Sequence, residues 1–284
     1  MAEQEIARPA LYLVATPIGN LEDITLRALR VLKQVDLIAC EDTRQTQKLL
    51  NHYGIEKPTV SYHEHNEMTR AAELVVGAEE DRAIALVSDA GMPGISDPGF
   101  RLITLAIRHH IPVVPIPGPA AFVAALVASG LPTDSFRFSG FLPAKSGQRR
   151  KVLEEIRSSP RTQVFYEAPH RLRETLQDVA DVLGPDRHVV VAREVTKLHE
   201  EFLRGRAEEV LEKLSGRDVK GEITLLIGKA EAEAPAVRPP KIAPRVRLEQ
   251  IIRESHLDEK AALKALAKEL GISKSEAYRR VQQS

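Results

Sequence analysis

The sequence predicts an α/β chain of two lobes carrying a small helical extension. Three observations predict it. Short β-branched runs alternate with helical patterns over residues 1–130, a second set of such runs follows over 131–230, and an alanine- and proline-rich stretch then separates off a basic tail.

In the first lobe, Leu11 to Ala15, Leu37 to Ala39, Ala83 to Val87 and Val113 to Ile116 read as strands. Helical stretches lie between them. Over Thr25 to Val35, for example, Ala28, Leu32 and Val35 continue a face begun by Leu21 and Ile24. Strand, helix, strand in this order implies a parallel sheet. The second lobe offers strands at Arg137 to Leu142, Thr162 to Tyr166, His188 to Arg193 and Glu222 to Ile227. Helices are expected at Gln148 to Ser158, Arg171 to Leu183 and Ala207 to Leu214, the last punctuated by Gly205 and Gly216.

Residues 231–244, with Pro239 and Pro240 adjacent, read as an extended linker. Beyond it, over 245–284, Ala262, Leu263, Leu266 and Leu270 make one apolar face before Gly271, and Ser273 can cap another helix. Helix, short glycine turn, helix is the helix-turn-helix pattern, with Lys274, Arg279 and Arg280 on or near its second helix. A small helical bundle packed on the body would give the same pattern.

Composition narrows the function classes. With 43% apolar and 28% charged residues the chain can build a core. Forty basic residues balance forty acidic ones, so the molecule is no general polycation and any nucleic-acid binding must be local. The tail supplies such a locality: from Ala236 to Ser284 there are 11 Lys and Arg against 6 Asp and Glu, a net +5 that leaves −5 for residues 1–235. A single cysteine, Cys40, excludes an intramolecular disulfide and multi-cysteine metal frameworks, and fits a reducing compartment, the cytoplasm. No basic, apolar leader opens the chain. Prolines break the longest apolar region down to Ala120–Ala128, well short of the roughly 20 residues that a membrane span needs.

Chemistry is expected at three strand ends. ATPIGN (Ala15 to Asn20) follows the first strand, and Gly19 there lets backbone approach a ligand, although one glycine falls short of a dinucleotide fingerprint. A second loop, Ser88 to Gly99, holds three glycines, two prolines and two aspartates. The third, Pro115 to Ala121, again leads from a strand into a helix. Loops gathered at the carboxyl edge of a parallel sheet form a ligand crevice.

TPIGN, CEDTR (Cys40 to Arg44), SDAGMPGISDPG, PGPAA, FYEAPHR (Phe165 to Arg171), REVTKLHEE (Arg193 to Glu201) and KGEITLLIG (Lys220 to Gly228) occur together and in order. Jointly they resemble the tetrapyrrole methylase superfamily, and within it the branch that methylates the ribose 2′-oxygen of a cytidine in the decoding region of 16S rRNA. The resemblance implies two α/β lobes with S-adenosylmethionine (S-adenosyl-L-methionine) in the cleft between them, a homodimer, and the 30S subunit as substrate. Tetrapyrrole enzymes commonly carry Gly-Asp in the first loop and Gly-Asp-Pro in the second. Here these positions read Gly19-Asn20 and Ser88-Asp89-Ala90, which favours the RNA branch.

Carried over residue by residue, the resemblance puts the methyl donor against Pro17 and Gly19 of the first loop and Asp89, Met92, Ile95 and Ser96 of the second. Ala120 and Ala121 of the third loop leave space, Tyr166 and Glu167 close the site from the second lobe, and Thr196 completes it. Methyl transfer needs alignment of the attacking oxygen and removal of its proton, without a metal or a covalent intermediate. Glu41, Asp42, His63, His65, His170 and Glu167 are candidates for the base, and a positioned water is another. Arg44, Arg171, Arg193 and Lys197 read as phosphate or carboxylate binders, against ordinary surface ion pairs. His63 and His65 share a strand face, but two histidines do not fix a tetrahedral metal site. Two rivals stand beside this reading: a methyltransferase of a corrin or porphyrin precursor, and a non-catalytic RNA-binding assembly protein.

Overall fold

The computed structural model describes residues 5–230, 244–255, 258–269 and 272–282. Nearly all of the expected linker therefore lies outside the described residues, as do Leu270 and Gly271. Residues up to Ala230 form one compact unit and the tail forms another.

The first lobe runs β1 (Ala10–Val14), α1 (Leu26–Gln34), β2 (Leu37–Cys40), α2 (Thr43–His52), β3 (Thr59–Ser61), α3 (Glu67–Glu79), β4 (Ala83–Val87), α4 (Phe100–Arg108), β5 (Val113–Ile116) and α5 (Ala121–Ser129). Its five strands lie in the order β3-β2-β4-β1-β5 and every pair is parallel. Both faces are covered, which is why β1 and β4 are apolar without alternation. Tyr12 and Val14 pack with Val31 and Leu32 of α1 on one side, while Leu11 and Leu13 pack with Leu74 of α3 and Leu102 of α4 on the other. The Thr25 hydroxyl caps α1 by accepting from the Ala28 N–H at 3.0 Å, and Asp42 caps α2 through the Arg44 N–H at 2.8 Å.

The second lobe runs β6 (Phe136–Phe141), α6 (Ser146–Glu155), β7 (Thr162–Glu167), α7 (Leu172–Leu183), β8 (His188–Arg193), β9 (Glu201–Arg206), α8 (Ala207–Lys213) and β10 (Ile223–Ile227). Its strand order is β6-β7-β10-β8-β9, with β6 parallel to β7 and the other pairs antiparallel. Arg149 is buried between α6 and α7, paired with Asp178 at 2.7 Å. Two strands escape the sequence reading, β3 and β9. Both lie at sheet edges, where three residues suffice for one and the charges of Glu201, Arg204 and Arg206 disguise the other.

The tail forms α9 (Pro244–Ser255), α10 (Glu259–Glu269) and α11 (Lys274–Gln282). Leu248, Ile251, Ala262, Leu263, Leu266 and Ala277 build its own small core, so the described extension is a three-helix unit in which the expected helix pair is joined by α9. Ser273 Oγ accepts from the Glu276 N–H at 3.3 Å and caps α11 as expected.

Candidate functional site

Strand order brings the three expected loops together, because β4, β1 and β5 are neighbours and all point the same way. The first two loops are tied by a reciprocal pair: Thr16 N–H donates to Gly91 O at 2.9 Å and Gly91 N–H to Thr16 O at 3.0 Å. Gly91 has φ +83°, a left-handed conformation that glycine adopts without strain. The third loop joins through Gly118, where a Cβ would stand 2.9 Å from that of Ala15. Gly19 is required for another reason: a Cβ there would lie 2.3 Å from Lys197 Cγ, so the second lobe reaches across the first loop.

Between the lobes lies a mostly apolar cavity of about 380 Å³. Met92, Ile95 and Ser96 of the second loop, Ala120 and Ala121 of the third, and Tyr166 and Glu167 of β7 line it. These seven had been expected at the donor. Tyr166 is fixed between the rings of Phe138 and Phe141, at 5.0 and 5.6 Å.

Three of the expected donor residues, Pro17, Gly19 and Asp89, line a second and more polar cavity of about 520 Å³ instead. Gln45, Lys48, Leu49 and His52 form its far wall, spaced along one face of α2, and Lys197 closes it. Ile18, Ala90 and Glu222 line both cavities and form a shared wall. Thr196 lines neither. Its neighbours Val195 and Lys197 do, while its own Oγ1 is buried without a hydrogen-bond partner and its φ is +70°.

Sequence reasoning missed Ile18, Asp97, Phe122 and the run Gly221 to Thr224, all on the mostly apolar cavity. Asp97 had a signal, since it sits in the same glycine-rich loop as Asp89. Glu222 and Thr224 lie in the KGEITLLIG motif, but its place at the cavity follows only from the antiparallel pairing of β10 with β7.

Electrostatics separates the acidic residues. Burial, reinforced by the charge of Glu41, raises the Asp97 carboxyl to about 6, against a hydrogen bond from Ser88. Burial and the charge of Asp89 raise Glu41, and burial raises Asp89, which accepts from the Asp42 N–H at 3.1 Å. Asp42 goes the other way, to about 2, because the Arg44 side chain and backbone both donate to it.

The remaining candidates divide by the company they keep. Glu167 is fully buried, accepting from Ala168 N–H and Thr175 Oγ1, both at 2.7 Å, and from Arg171 Nε. Arg171 donates its other arm to the Leu142 carbonyl at 3.0 Å. This pair ties β7 to α7, so the two side chains read as a base candidate and a phosphate binder are here engaged with each other. Arg193 is likewise engaged, with Glu201 at 3.2 Å. Arg44 pairs with Asp42 and stays highly exposed, and Lys197 bridges Glu194 and Glu222 at 2.8 and 3.1 Å. His170 is exposed in the turn after β7. The rings of His63 and His65 are 5.9 Å apart, with Asn66 at 3.3 Å from His63 Nε2. Among the described residues no group of three or more His, Cys, Asp or Glu could hold a metal ion. In the tail, Lys274 opens α11, while Arg279 and Arg280 both pair with Glu276.

Residues 10–211 match the family described as Tetrapyrrole (Corrin/Porphyrin) Methylases, and the chain belongs to it. Within that family it is similar to proteins named Ribosomal RNA small subunit methyltransferase I. The one from Halalkalibacterium halodurans is 49% identical over 281 residues, covering 97% of this chain and 96% of the relative. That of Pasteurella multocida is 46% identical over 272 residues, covering 94% and 95%. Among solved structures, diphthine synthase superposes with a TM-score of 0.61 at 15% identity, over 77% of this chain and 90% of that one. Uroporphyrin-III C-methyltransferase from Thermus thermophilus, complexed with S-adenosyl homocysteine, gives 0.55 at 22% identity, over 77% and 97%. Both share the two-lobed fold.

Proposed function

We propose that this protein transfers a methyl group from S-adenosylmethionine to the ribose 2′-oxygen of a cytidine in the decoding region of 16S rRNA, acting on the 30S subunit in the cytoplasm. The observation that carries the reading is similarity along 97% of the chain to a relative named for methylation of small-subunit rRNA. The two adjoining cavities support it, since one can hold a donor and the other an acceptor.

The donor-side cavity fits the cofactor. Its volume is in the range of small-molecule sites, its walls are mostly apolar, and Asp97 and Glu222 place negative charge where a cationic ligand would lie. Bound there, S-adenosylmethionine supplies a methyl group already activated by a positively charged sulfur. Ala120 and Ala121 leave room, the Tyr166 ring excludes water, and Met92, Ile95 and Ser96 form the opposing wall. Pro17, Gly19 and Thr196 act by shaping the loops around the site. Alignment at the shared wall supplies most of the acceleration. A hydroxyl reacting there has Asp89 on its own side, raised above the ordinary carboxylate value and thereby the better proton acceptor. Asp42, held near 2, caps α2 instead.

Lys274, Arg279 and Arg280 of the tail, with Arg44 and Lys197 of the body, are assigned to RNA phosphates; exposed ion pairs such as those with Glu276 exchange readily for such partners. The reading includes a homodimer. Phe100, Val127 and Leu198, 78%, 71% and 93% exposed, are side chains that a second copy would cover.

Tritium transfer from labelled S-adenosylmethionine to 30S subunits, naked 16S RNA and a tetrapyrrole precursor tests the whole. Label on a ribose of the subunit is expected, with weaker RNA affinity and unchanged donor affinity for a chain ending at Pro235. Label on the small molecule, or failure to bind the donor, would overturn the reading.

A further inference from the structure

The polar cavity has a wall that the sequence never suggested. Gln45, Lys48 and His52 are exposed on one face of α2 and all three line it. Lys48 donates to Gln45 Oε1 at 3.1 Å and takes part in no ion pair among the described residues, whereas Arg44 and Lys197 are both held by carboxylates. An unneutralised ammonium facing a cavity is a site for an anion. On the opposite side, the wall made by Ile18 and Ala90 is common to the donor-side cavity, so a group resting on it is within reach of a transferred methyl. Anion at one end and reacting hydroxyl at the other describe a nucleotide lying across the cavity.

We propose that the cavity receives the acceptor nucleotide splayed out of the RNA, its ribose against Ile18 and Ala90 and its flanking phosphates on Lys48 and His52. This inference rests on the rRNA reading above and adds the place and orientation of the substrate. A ribose hydroxyl within stacked, paired RNA is hard to align with a buried donor, and single-stranded or splayed nucleotides are what proteins commonly take into pockets. The volume of about 520 Å³ accommodates a nucleotide, and Gln45 can address the base edge with either end of its amide. Asp89 borders the same cavity, which is where the proton would be released.

The test compares Lys48→Glu, and Lys48→Glu combined with His52→Glu, with wild type and with the charge control Lys151→Glu on α6. All three positions are exposed, so folding is not at stake. We expect a KM for 30S subunits raised about tenfold or more, a salt dependence of RNA binding reduced by about one counterion per lost phosphate contact, and a donor Kd that stays at the wild-type value by calorimetry. The control should match wild type. Unchanged KM and salt slope in the double variant, with wild type active on rRNA, would overturn the placement of the nucleotide while leaving the rRNA reading intact. Wild type that labels no RNA would remove both.

Discussion

The two cavities on either side of Ile18 and Ala90 are built by opposite strategies. In the apolar cavity, proposed for the donor, pieces of both lobes converge, and the walls are pinned by side-chain contacts: Tyr166 between two phenylalanines, Glu167 locked by Arg171 and Thr175. In the polar cavity, proposed for the acceptor, one exposed helix face and a lysine held by Glu194 and Glu222 do most of the enclosing. The contrast teaches how the proposed assignment would work: a small ligand in a pre-formed apolar shape, and a polyanion against charges that are still solvated before it arrives.

The sharpest way to break this comparison is Glu167→Ala. It leaves the Arg171 guanidinium buried beside no carboxylate, so unfolding free energy should drop by about 3–5 kcal/mol in urea titrations, with donor binding weakened as its wall loosens. Had Glu167 been a base, activity would vanish at unchanged stability.

A more local change is Ala121→Trp, which fills the donor-side cavity without touching the other. Donor affinity measured by calorimetry should fall by about 100-fold, equivalent to about 2.7 kcal/mol, while RNA affinity is retained. Loss of both together would show that the cavities are not separable.

Asp97→Asn has the smallest expected effect and the most informative sign. A carboxyl raised to about 6 favours the folded state when protonated, so its contribution is present below about pH 4 and is lost as pH rises through 6. The asparagine variant should therefore be more stable than wild type at pH 8, by about 1 kcal/mol once partial solvation is allowed for, and no more stable at pH 4. Donor affinity should show the reverse: in wild type it strengthens as pH rises through 6 and Asp97 ionises, and in the variant it is weaker and flat.

Much of the fold was legible because the apolar runs of β1, β4 and β10 are long enough to betray buried strands, and because glycine and proline mark the three loops. That Met92, Ile95, Ser96, Ala120 and Ala121 of those loops would line one cavity was legible for the same reason. What stayed hidden depends on contacts between distant segments. Pro17, Gly19 and Asp89 belong to the same loops but line the polar cavity, a matter of a few ångströms that no motif encodes. Glu222 reaches the site through strand pairing alone, and Lys48 and His52 look in sequence like any charged face of a surface helix. Arg171 and Glu167 illustrate the converse: conspicuous polar residues whose partners, each other, Thr175 and the Leu142 carbonyl, are visible only in the fold.

The reciprocal hydrogen bonds between Thr16 and Gly91 give the shared wall a consequence for anyone redesigning this enzyme. Ile18 and Ala90 ride on the two loops that this stitch joins, so the partition behaves as a single panel with a room on each side. Moving it to admit a bulkier alkyl donor takes floor area from the acceptor. With the cavities assigned as proposed, cofactor scope and substrate scope become one adjustable parameter, and selection for either will drag the other along with it.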